Sequence, residues 1–488
     1  MKTVVTRNTM KKSDEYMIQN KISSIELMNK ASCAILKNFN FQGNVLIVSG
    51  IGNNAGDGYA LACHLNRKGI HVELLLIEEK FTKDSQYYFN ECKKFNISYH
   101  IYHNTFDFSK YDVLVDAIYG YGFHGMLTDK IKQLIIQMNE SGKTIVSIDI
   151  NSGLNADNGL ADVCVRSDLT VAIGSYKPGH FLNMAKDYIK KIVCEDVDIE
   201  IKGNPYYLLE EEDFRGMFKE RLEFSHKGTY GNVAIIGGSM NYSGSVKLAN
   251  LSLSALRTGS GLCKLVIPNC IVDGVMPYIL ESTLFPMPDQ DGLMLFSKEK
   301  IDEALQNTKA ILLGIGIGKS DEISKVISYV IKNYTVPIII DADGLNALAH
   351  INEKKEGLIL TPHLKEFSRL SGYSINEILN DPIELAKTYA SQNKAYVLLK
   401  GPTTIVTDGE DVYLINRGCS GMATAGSGDV LSGILLGLCS YQKVSLKLIA
   451  LGAYINGVSG ERASSGNNIS MTSRDTVYEI KNVVKGLL

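Results

Sequence analysis

Short, continuous runs of apolar residues alternate along the chain with longer stretches in which apolar and polar residues mix at helical spacing. In the first part of the chain the apolar runs cover residues 45–49, 72–77, 113–116, 144–148 and 169–172. They are rich in β-branched residues, and helical patterns such as 60–68 and 130–139 separate them. This alternation predicts βαβ units, and the unbroken apolar runs predict a mainly parallel sheet that is covered on both faces.

The same alternation resumes in the second part of the chain after a polar interval. Residues 202–223 contain Gly203, Asn204, Pro205 and an acidic run at 210–213, which favour a boundary between domains. A new strand is predicted at 233–236, and further strands at 263–267, 310–314, 337–341, 357–360, 395–399 and 404–407. The sequence therefore predicts two α/β domains, residues 1–203 and 204–488.

Composition fits a globular protein and excludes several functional classes. The chain has 488 residues, 45% hydrophobic and 21% charged, and its formal charge of −3 gives no basic field that would favour nucleic acid. The longest apolar stretches, such as 310–313 and 336–340, are far shorter than the ~20 residues of a membrane span. Nine cysteines without a CxxC pair indicate free thiols in a reducing compartment. We expect a soluble cytoplasmic protein that acts on small molecules and binds neither nucleic acid nor membranes.

A glycine-rich segment from Gly50 to Tyr59 follows the predicted strand at 45–49 and precedes a helix. Such a segment points backbone N–H groups from the helix N-terminus at an anion. Asn53, Asn54 and Asp57 add hydrogen-bonding side chains that a plain dinucleotide turn lacks. The alternative is a tight βα turn with Asp57 near the helix start.

Polar side chains also follow two other predicted strands. Asp116 ends one of them, and Asp149, Asn151 and Ser152 come directly after the other. Open α/β sheets bind ligands at this edge, and carboxylate, amide and hydroxyl oxygens suit a hard cation such as Na⁺, K⁺, Mg²⁺ or Ca²⁺ rather than zinc. A hydrogen-bond network around a water molecule, or helix capping by the aspartates, is the alternative.

Four segments of the first half, 52–59, 116–122, 149–159 and 176–179, resemble the NAD(P)H-hydrate epimerase domain, the YjeF N-terminal family, which covers roughly residues 1–205. The resemblance implies a Rossmann-like domain in which Asp149 contacts the substrate ring and transfers a proton. It implies a potassium ion held by Asn54, Asp116 and Ser152. The substrate would be lined by Asn53, Asn54, Ala55, Gly56, Asp57, Gly120, Tyr121, Gly122, Phe123, His124, Gly125, Met126 and Asp149. The family usually has Gly at the position of Ala55 and Pro at that of Asn151.

The strongest motif of the second half is Gly426-Ser427-Gly428-Asp429, which precedes an apolar helix at 430–438. Successive N–H groups there would form an anion hole, and the Asp429 carboxylate can accept a hydroxyl proton during phosphoryl transfer. A glycine-rich helix cap is the alternative. Lys400 at a strand end suits nucleotide phosphates, although such a lysine can be merely solvated, and the loop residue His363 can be a simple surface residue.

This set of motifs, together with 226–233, 237–239 and 255–262, resembles the NAD(P)H-hydrate dehydratase family, a branch of the ribokinase-like fold, over roughly residues 224–488. The resemblance implies ADP as phosphoryl donor, with Mg²⁺. The adenine nucleotide would be bound by Lys400, Gly401, Pro402, Thr403, Thr404 and Gly428. The hydrated dinucleotide would be bound by Gly316, His363 and Asp429, with Asp429 as the catalytic base.

The two resemblances imply a bifunctional enzyme that repairs hydrated NADH or NADPH. The first domain would interconvert the R and S hydrates, and the second would dehydrate the S form with ADP, giving AMP and phosphate. We also expect a homo-oligomer. One alternative is a ribokinase-like small-molecule kinase fused to a non-catalytic nucleotide-binding domain. Another is that the first half serves only for nucleotide binding or oligomerisation.

Overall fold

The computed structural model describes residues 1–251, 255–351, 353 and 355–488. The chain divides into two compact units, an N-terminal unit, Lys2–Tyr206, and a C-terminal unit, Tyr207–Leu488. Both units are α/β with largely parallel sheets, which confirms the predicted fold class. Within the described residues, every helix is too short or too polar to cross a bilayer.

The N-terminal unit is built on a parallel sheet of seven strands with helices on both faces. The strands of the unit are β1 Lys2–Val4, β2 Val45–Ser49, β3 Val72–Leu76, β4 Tyr99–Ile101, β5 Val113–Ala117, β6 Thr144–Ile148, β7 Leu169–Ile173 and β8 Ile192–Glu195. Strands β2 to β8 form the seven-stranded sheet. Its helices are α1 Arg7–Asn20, α2 Ser24–Asn38, α3 Asn53–Arg67, α4 Lys83–Lys94, α5 Asp129–Glu140 and α6 Ala185–Tyr188. The order in the sheet is β4-β3-β2-β5-β6-β7-β8, and β2, β5 and β7 are buried along their whole length because both faces are covered.

The strand order reverses direction between β2 and β5. The chain runs outward from β2 through β3 to β4, and then returns to β5 on the other side of β2. Open α/β sheets bind ligands in the crevice that lies beside such a reversal, at the carboxyl ends of the strands. The glycine-rich segment after β2 and the polar residues after β5 both end in this crevice.

Helix α3 begins earlier than the sequence pattern predicts. The helical pattern starts at residue 60, yet the helix starts at Asn53, so that most of the glycine-rich segment is its first two turns. The glycines of this segment are part of the helix because they lie in close contact with neighbouring elements. A Cβ atom at Gly56 would lie 2.8 Å from Met28 Sδ, and one at Gly58 would lie 2.8 Å from Ala117 Cβ. The glycines therefore let the helix approach α2 and the sheet.

The C-terminal unit contains strands β9 Tyr206–Leu208, β10 Asn232–Ile236, β11 Leu262–Pro268, β12 Thr283–Met287, β13 Asp289–Gln290, β14 Leu293–Met294, β15 Ala310–Leu313, β16 Ile338–Ile340, β17 Ile359–Leu360, β18 Tyr396–Leu399, β19 Thr404–Thr407 and β20 Val412–Ile415. Its helices are α7 Glu211–Phe214, α8 Ser243–Asn250, α9 Val272–Val275, α10 Lys298–Ala304, α11 Asp321–Asn333, α12 Asp343–Leu348, α13 Leu364–Ser371, α14 Ile375–Asn380, α15 Pro382–Asn393, α16 Ser427–Cys439, α17 Leu446–Ser464 and α18 Ser473–Leu487.

The main sheet of this unit has the order β9-β20-β19-β18-β17-β16-β15-β10-β11-β12. In this sheet the strands β10, β11, β12, β15, β16, β17 and β18 are paired in parallel, whereas β19 is antiparallel to both of its neighbours, β18 and β20. The links between β18, β19 and β20 are too short for a crossover helix, and short links join antiparallel strands. Strands β13 and β14 form a separate antiparallel pair. Helix α16 is buried from Val430 to Cys439, since it lies in the largest apolar core of the unit.

We expect the loop after β6 to be sensitive to any side chain at Gly153. Gly153 has a φ of +99°, and a Cβ atom there would lie 2.1 Å from the carbonyl oxygen of Val163. Gly142 also has a positive φ, +68°, but has open space around it. Gly142→Ala should therefore cost only the left-handed strain of about 1–2 kcal/mol, and Gly153→Ala at least about 2 kcal/mol more. Hydrogen exchange of peptides from β6 and β7 measures both losses, and equal losses would contradict the close approach.

Candidate active sites

A cavity of about 1020 Å³ opens at the carboxyl ends of β2 and β5 in the N-terminal unit. Of the predicted substrate-lining residues, those that line this cavity are Asn53, Asn54, Asp57, Gly120, Tyr121, Gly122, Phe123, His124, Met126 and Asp149. Ala55 is 1% exposed and belongs to the apolar core, and Gly56 faces Met28. Gly125, with a φ of +94°, follows in the exposed part of the same loop. Ala55 lies inside α3, where a methyl group in place of the family's glycine is accommodated.

A buried ion pair lies at the wall of the cavity, which Asp149 lines. Asp149 Oδ1 accepts a hydrogen bond of 2.5 Å from Lys177 Nζ, and the lysine side chain is fully buried. Lys177 also donates to the carbonyl oxygen of Ile173 at 3.0 Å. Burial by itself would raise the pKa of Asp149, but the Lys177 charge and hydrogen bond outweigh it and hold the pKa below its usual value. Asp149 is therefore ionised at neutral pH.

The backbone around Asp149 is also fixed by specific contacts. Its φ is +65°, a left-handed conformation that Asp tolerates better than most residues. His180 Nε2 lies 2.8 Å from the Asp149 carbonyl oxygen, and the Tyr121 N–H donates to Asp149 Oδ2 at 2.9 Å. Burial lowers the pKa of His180 to about 4, so the ring is neutral and its Nε2–H donates to that carbonyl. These contacts aim the Asp149 carboxylate into the cavity.

A second carboxyl of the cavity has the opposite protonation preference. Asp57, in the first turns of α3, has a pKa well above its usual value, because burial is reinforced by the negative charges of Asp149 and Asp14. The cavity thus contains a carboxylate whose pKa is lowered, Asp149, and a carboxyl whose pKa is raised, Asp57. Two carboxyls whose pKa values are pushed apart provide a proton acceptor and a proton donor in one site.

The predicted cation ligands lie next to the cavity. Ser152 Oγ donates to Asp116 Oδ1 at 2.5 Å, and the Ser152 N–H and Ser147 Oγ donate to Asp116 Oδ2 at 2.8 and 2.9 Å. Asn54 donates from Nδ2 to the carbonyl oxygen of Ile148 at 3.4 Å. A Cβ atom at Gly120 would lie 3.3 Å from Asn54 Oδ1 and 3.2 Å from Asp149 Oδ2. The structure therefore joins Asp116 to Ser152 directly and places Asn54 beside Gly120.

These residues fit a large monovalent cation in their chemistry. Burial raises the pKa of Asp116, although the hydrogen bonds from Ser152 and Ser147 oppose that shift. A buried carboxylate with a raised pKa gains stability when a cation binds it. The amide oxygen of Asn54 and the hydroxyl of Ser152 are further hard ligands. The Ser152 hydroxyl donates its hydrogen to Asp116, and its oxygen accepts from the Tyr119 N–H at 2.9 Å, which leaves one lone pair for a cation.

Two features of this site were not assigned from the sequence. Lys177 lies within segment 176–179, which carries part of the resemblance, but nothing in its spacing indicated that it pairs with Asp149. Helix α1 was not predicted, although Arg7, Lys11, Asp14 and Ile18 line the cavity at helical spacing and Thr6 caps the helix. That polar, periodic pattern, preceded by a capping threonine, is the signal that could have revealed the helix.

The C-terminal unit contains a second buried ion pair. Lys400 Nζ donates to Asp341 Oδ1 at 2.8 Å, and Ser432 Oγ donates to Asp341 Oδ2 at 2.7 Å. Burial would raise the pKa of Asp341, but Lys400 holds it below the usual value. Burial would lower the pKa of Lys400, but Asp341 and Glu366 raise it. Both groups of the pair are therefore charged at neutral pH.

The Gly-Ser-Gly-Asp motif lies against this ion pair. Helix α16 begins at Ser427 after Gly426, whose φ is +89° and whose Cβ would lie 2.2 Å from Leu248 Cδ1. A Cβ atom at Gly428 would lie 3.2 Å from Lys400 Nζ. Burial, and next the charge of Asp341, raise the pKa of Asp429 to about 7, while a hydrogen bond with Ser245 opposes the shift. A carboxyl that titrates near neutral pH is suited to act as a general base.

The remaining predicted residues lie around these groups. His363 forms an isolated β-bridge with Lys400, caps α13 through Nδ1, and lies 3.4 Å from Glu366 Oε1. Burial lowers the pKa of His363. A Cβ atom at Gly316 would lie 3.0 Å from Ser245 Cβ, which places Gly316 on the side of Asp429 that Ser245 occupies.

The segment after Lys400 differs in exposure from residue to residue. Gly401 and Pro402 are exposed, whereas Thr403 is buried and donates to Asn416 Oδ1 at 2.8 Å. Thr404 begins β19 and pairs with Ile415 of β20. The structure thus brings Lys400, Gly428, Asp429 and His363 together, while Gly401 and Pro402 form an exposed turn beside them.

Comparison with known proteins gives the same division of the chain. The family model described as NAD(P)H-hydrate dehydratase matches residues 233–482, and the one described as YjeF-related protein N-terminus matches residues 24–179. A bifunctional NAD(P)H-hydrate repair enzyme Nnr from Moorella thermoacetica is 31% identical over 93% of this chain and 90% of its own length. The enzyme of the same name from Coxiella burnetii is 28% identical over 95% of each chain.

A solved structure supports the fold of the C-terminal unit. The ADP/ATP-dependent NAD(P)H-hydrate dehydratase from Bacillus subtilis, co-crystallised with ATP/Mg²⁺, has a TM-score of 0.50 and 27% identity, and covers 58% of this chain and 99% of its own. The fold and the two acid–base sites define an α/β enzyme of two units. The C-terminal unit has the ribokinase-like fold. The chain belongs to the family of bifunctional NAD(P)H-hydrate repair enzymes, which confirms the resemblance found in the sequence.

We expect Lys177→Met to destabilise the N-terminal unit in a pH-dependent way. Because the folded-state pKa of Asp149 is depressed, its stabilising effect is present at neutral pH and is lost only as pH falls through that pKa. Without the ammonium group, burial raises the pKa and the ionised carboxylate destabilises the fold. The loss should be about 3–5 kcal/mol at pH 7 and smaller near pH 4.5, where the variant's Asp149 is protonated.

Hydrogen exchange of β6 and β7 peptides at the two pH values measures this loss within the unit itself. The double variant Lys177→Met/Asp149→Asn is the control, because it removes both charges and should recover part of the stability. A loss of the same size at both pH values would contradict the buried charge pair.

Proposed function

We propose that the N-terminal unit of this enzyme epimerises the R and S forms of hydrated NADH and NADPH, and that the C-terminal unit dehydrates the S form with ADP. The observation that carries the proposal is that relatives named for this repair match across both units, 93% of the chain in one case. An acid–base site at the carboxyl ends of the strands in each unit supports it.

The substrate proposed for the N-terminal unit has a hydrated nicotinamide ring, in which the carbon that bears the hydroxyl is bonded to the ring nitrogen. A proton delivered to the hydroxyl lets the nitrogen lone pair expel water, and the flat cation that results can take up water from either face. The second step returns a proton, so that no net proton or electron is gained or lost. Asp57, whose pKa is raised, would deliver the proton, and ionised Asp149, held by Lys177, would accept the proton of the attacking water; proton exchange with solvent then returns both carboxyls to their starting states.

In the C-terminal unit the same hydroxyl is first phosphorylated, since hydroxide is a poor leaving group and phosphate a good one. Asp429 accepts the hydroxyl proton as the oxygen attacks the terminal phosphate of ADP, and AMP leaves. The N–H groups at the start of α16 and the Lys400 ammonium face the developing phosphate charge. The ring nitrogen lone pair then expels phosphate, and the resulting cation loses a proton from the ring carbon next to the former hydroxyl carbon, which forms the double bond of the reduced nucleotide.

Two ions belong to this proposal. Potassium would be held by Asn54, Asp116 and Ser152, where it would neutralise the buried carboxylate and order the loops after β2, β5 and β6. Mg²⁺ would accompany the phosphates of ADP. The ATP/Mg²⁺ co-crystals of the Bacillus subtilis relative support the second ion. We place the enzyme in the cytoplasm, as its cysteine content suggests, and propose that it is a homo-oligomer.

Asp429→Asn tests the C-terminal reaction. The amide keeps the shape of the side chain but cannot accept the proton, so ADP-dependent consumption of the S hydrate should fall by about 10²–10⁴-fold. In the unmutated enzyme the rate should fall as pH drops below about 7, because Asp429 becomes protonated. The shift in melting temperature with ADP and the epimerisation rate should both stay unchanged and serve as controls. Dehydration at close to the unmutated rate would refute the assignment.

Asp116→Asn tests the potassium site. Epimerisation by the unmutated enzyme should be faster in potassium buffer than in tetramethylammonium buffer, and the variant should lose that difference because the only full charge of the site is gone. ADP-dependent dehydration of pure S hydrate should remain in the variant. Asp129→Asn, which removes an exposed carboxylate at the start of α5, is the matched control. Equal epimerisation rates in both buffers for the unmutated enzyme would exclude the site.

A further inference from the structure

The cavity of the N-terminal unit contains a third carboxyl group that the reaction described above does not use. Asp14 lies in α1 and lines the cavity. Its Oδ2 atom accepts a hydrogen bond of 2.5 Å from the Tyr121 hydroxyl. Its Oδ1 atom is buried and has no hydrogen-bond partner among the described residues. A buried carboxylate oxygen without a partner is unfavourable, so this group is poised to gain a proton or a donor.

Tyr121 connects Asp14 to the Asp149–Lys177 ion pair. Its backbone N–H donates to Asp149 Oδ2 at 2.9 Å, and its hydroxyl donates to Asp14. Lys177 Nζ lies 5.4 Å from the centre of the Tyr121 ring. Tyr121 therefore contacts the carboxylates of Asp14 and Asp149 and lies next to the Lys177 ammonium group. A change in the protonation of Asp14 can alter the position of Asp149 through the Tyr121 side chain.

We propose that Asp14 is a positioning residue of the epimerase cavity, which acts on the Asp149–Lys177 pair through the Tyr121 hydroxyl. The inference rests on the proposed epimerisation. Ionised Asp14 accepts the Tyr121 hydrogen bond and fixes the loop whose N–H group holds Asp149. When Asp14 takes up a proton, its hydrogen bond with the Tyr121 hydroxyl weakens, and Tyr121 is no longer held in one position.

The electrostatic surroundings of Asp14 place this change near neutral pH. Burial raises the pKa of Asp14 to about 6, while the Tyr121 hydrogen bond and the charge of Lys177 oppose the shift. The charged and titratable groups that act on it come from each element around it: Glu15 of α1, Asp57 of α3, Tyr121 after β5, Asp149 after β6 and Lys177 after β7. The other charged or titratable residues that line the cavity are Arg7, Lys11, Tyr119 and His124.

The pH profile of epimerisation in the full-length chain tests the inference. Interconversion of the R and S hydrates is followed by chromatography without ADP, so that dehydration does not contribute. The rate of the unmutated enzyme should decline as pH falls through about 6. In Asp14→Asn that inflection should be absent, and the rate at pH 7.5 should be about tenfold lower. Asp129→Asn, which removes a carboxylate on the exposed surface, should keep the unmutated profile.

A double-mutant cycle distinguishes action through Tyr121 from a general loss of structure. If Asp14 acts through the hydroxyl, then Asp14→Asn/Tyr121→Phe should be slower than the worse single variant by less than about twofold. Losses that multiply would overturn the inference. If the unmutated chain does not interconvert the hydrates, the proposed function fails and the inference with it. If the chain does interconvert them and Asp14→Asn keeps the inflection near pH 6, only the inference fails.

A measurement that does not depend on activity completes the test. The Asp14 carboxyl carbon, followed by ¹³C NMR in the full chain and assigned by its loss in Asp14→Asn, should titrate near pH 6. In Tyr121→Phe its pKa should rise, because the hydroxyl hydrogen bond is what lowers it. If the pKa of Asp14 is the same in Tyr121→Phe as in the unmutated chain, the proposed coupling is wrong.

Discussion

A buried carboxylate–ammonium pair is the constraint around which each unit is organised. Asp149 and Lys177 form it in the N-terminal unit, and Asp341 and Lys400 form it in the C-terminal unit. Each aspartate follows a parallel strand and is almost fully buried. Such a charge is tolerated only if its partner and its hydrogen bonds are in place. The loops that supply those partners are therefore fixed, and they are the same loops that line the sites.

The two pairs also determine which neighbouring carboxyls hold protons. Burial raises the pKa of a second carboxyl in each unit, Asp57 and Asp429, and the charge of the ionised aspartate, Asp149 or Asp341, adds to that shift. Each unit therefore contains one carboxylate held as an anion and one carboxyl whose pKa is raised. Two unrelated reactions, epimerisation and phosphoryl transfer, can make use of the same electrostatic arrangement.

The sequence was sufficient for the fold and for the position of most candidate residues, because continuous apolar runs mark buried parallel strands and the ligand-binding edge follows from them. It was less informative where the cause lies in three-dimensional contacts. The early start of α3 depends on how closely Gly56 and Gly58 approach α2 and the sheet. The pairing of Lys177 with Asp149, and the contact of Asp14 with Tyr121, join residues far apart in the chain. The roles of the individual site residues stay predictions.

Asn151 shows how the loop after β6 is held in a chain that lacks the family's usual proline. Its Nδ2 donates to the carbonyl oxygen of Val165 at 2.8 Å and to Ser167 Oγ at 3.0 Å, and its Oδ1 accepts from the Thr170 hydroxyl. A proline restrains a loop by limiting the unfolded chain, which is an entropic effect, whereas these bonds restrain it by enthalpy. Enthalpic restraint weakens as temperature rises, so the loop that carries Asp149 and Ser152 should loosen on warming earlier than a proline-bearing loop. The temperature at which this loop loosens should therefore depend on one amide side chain.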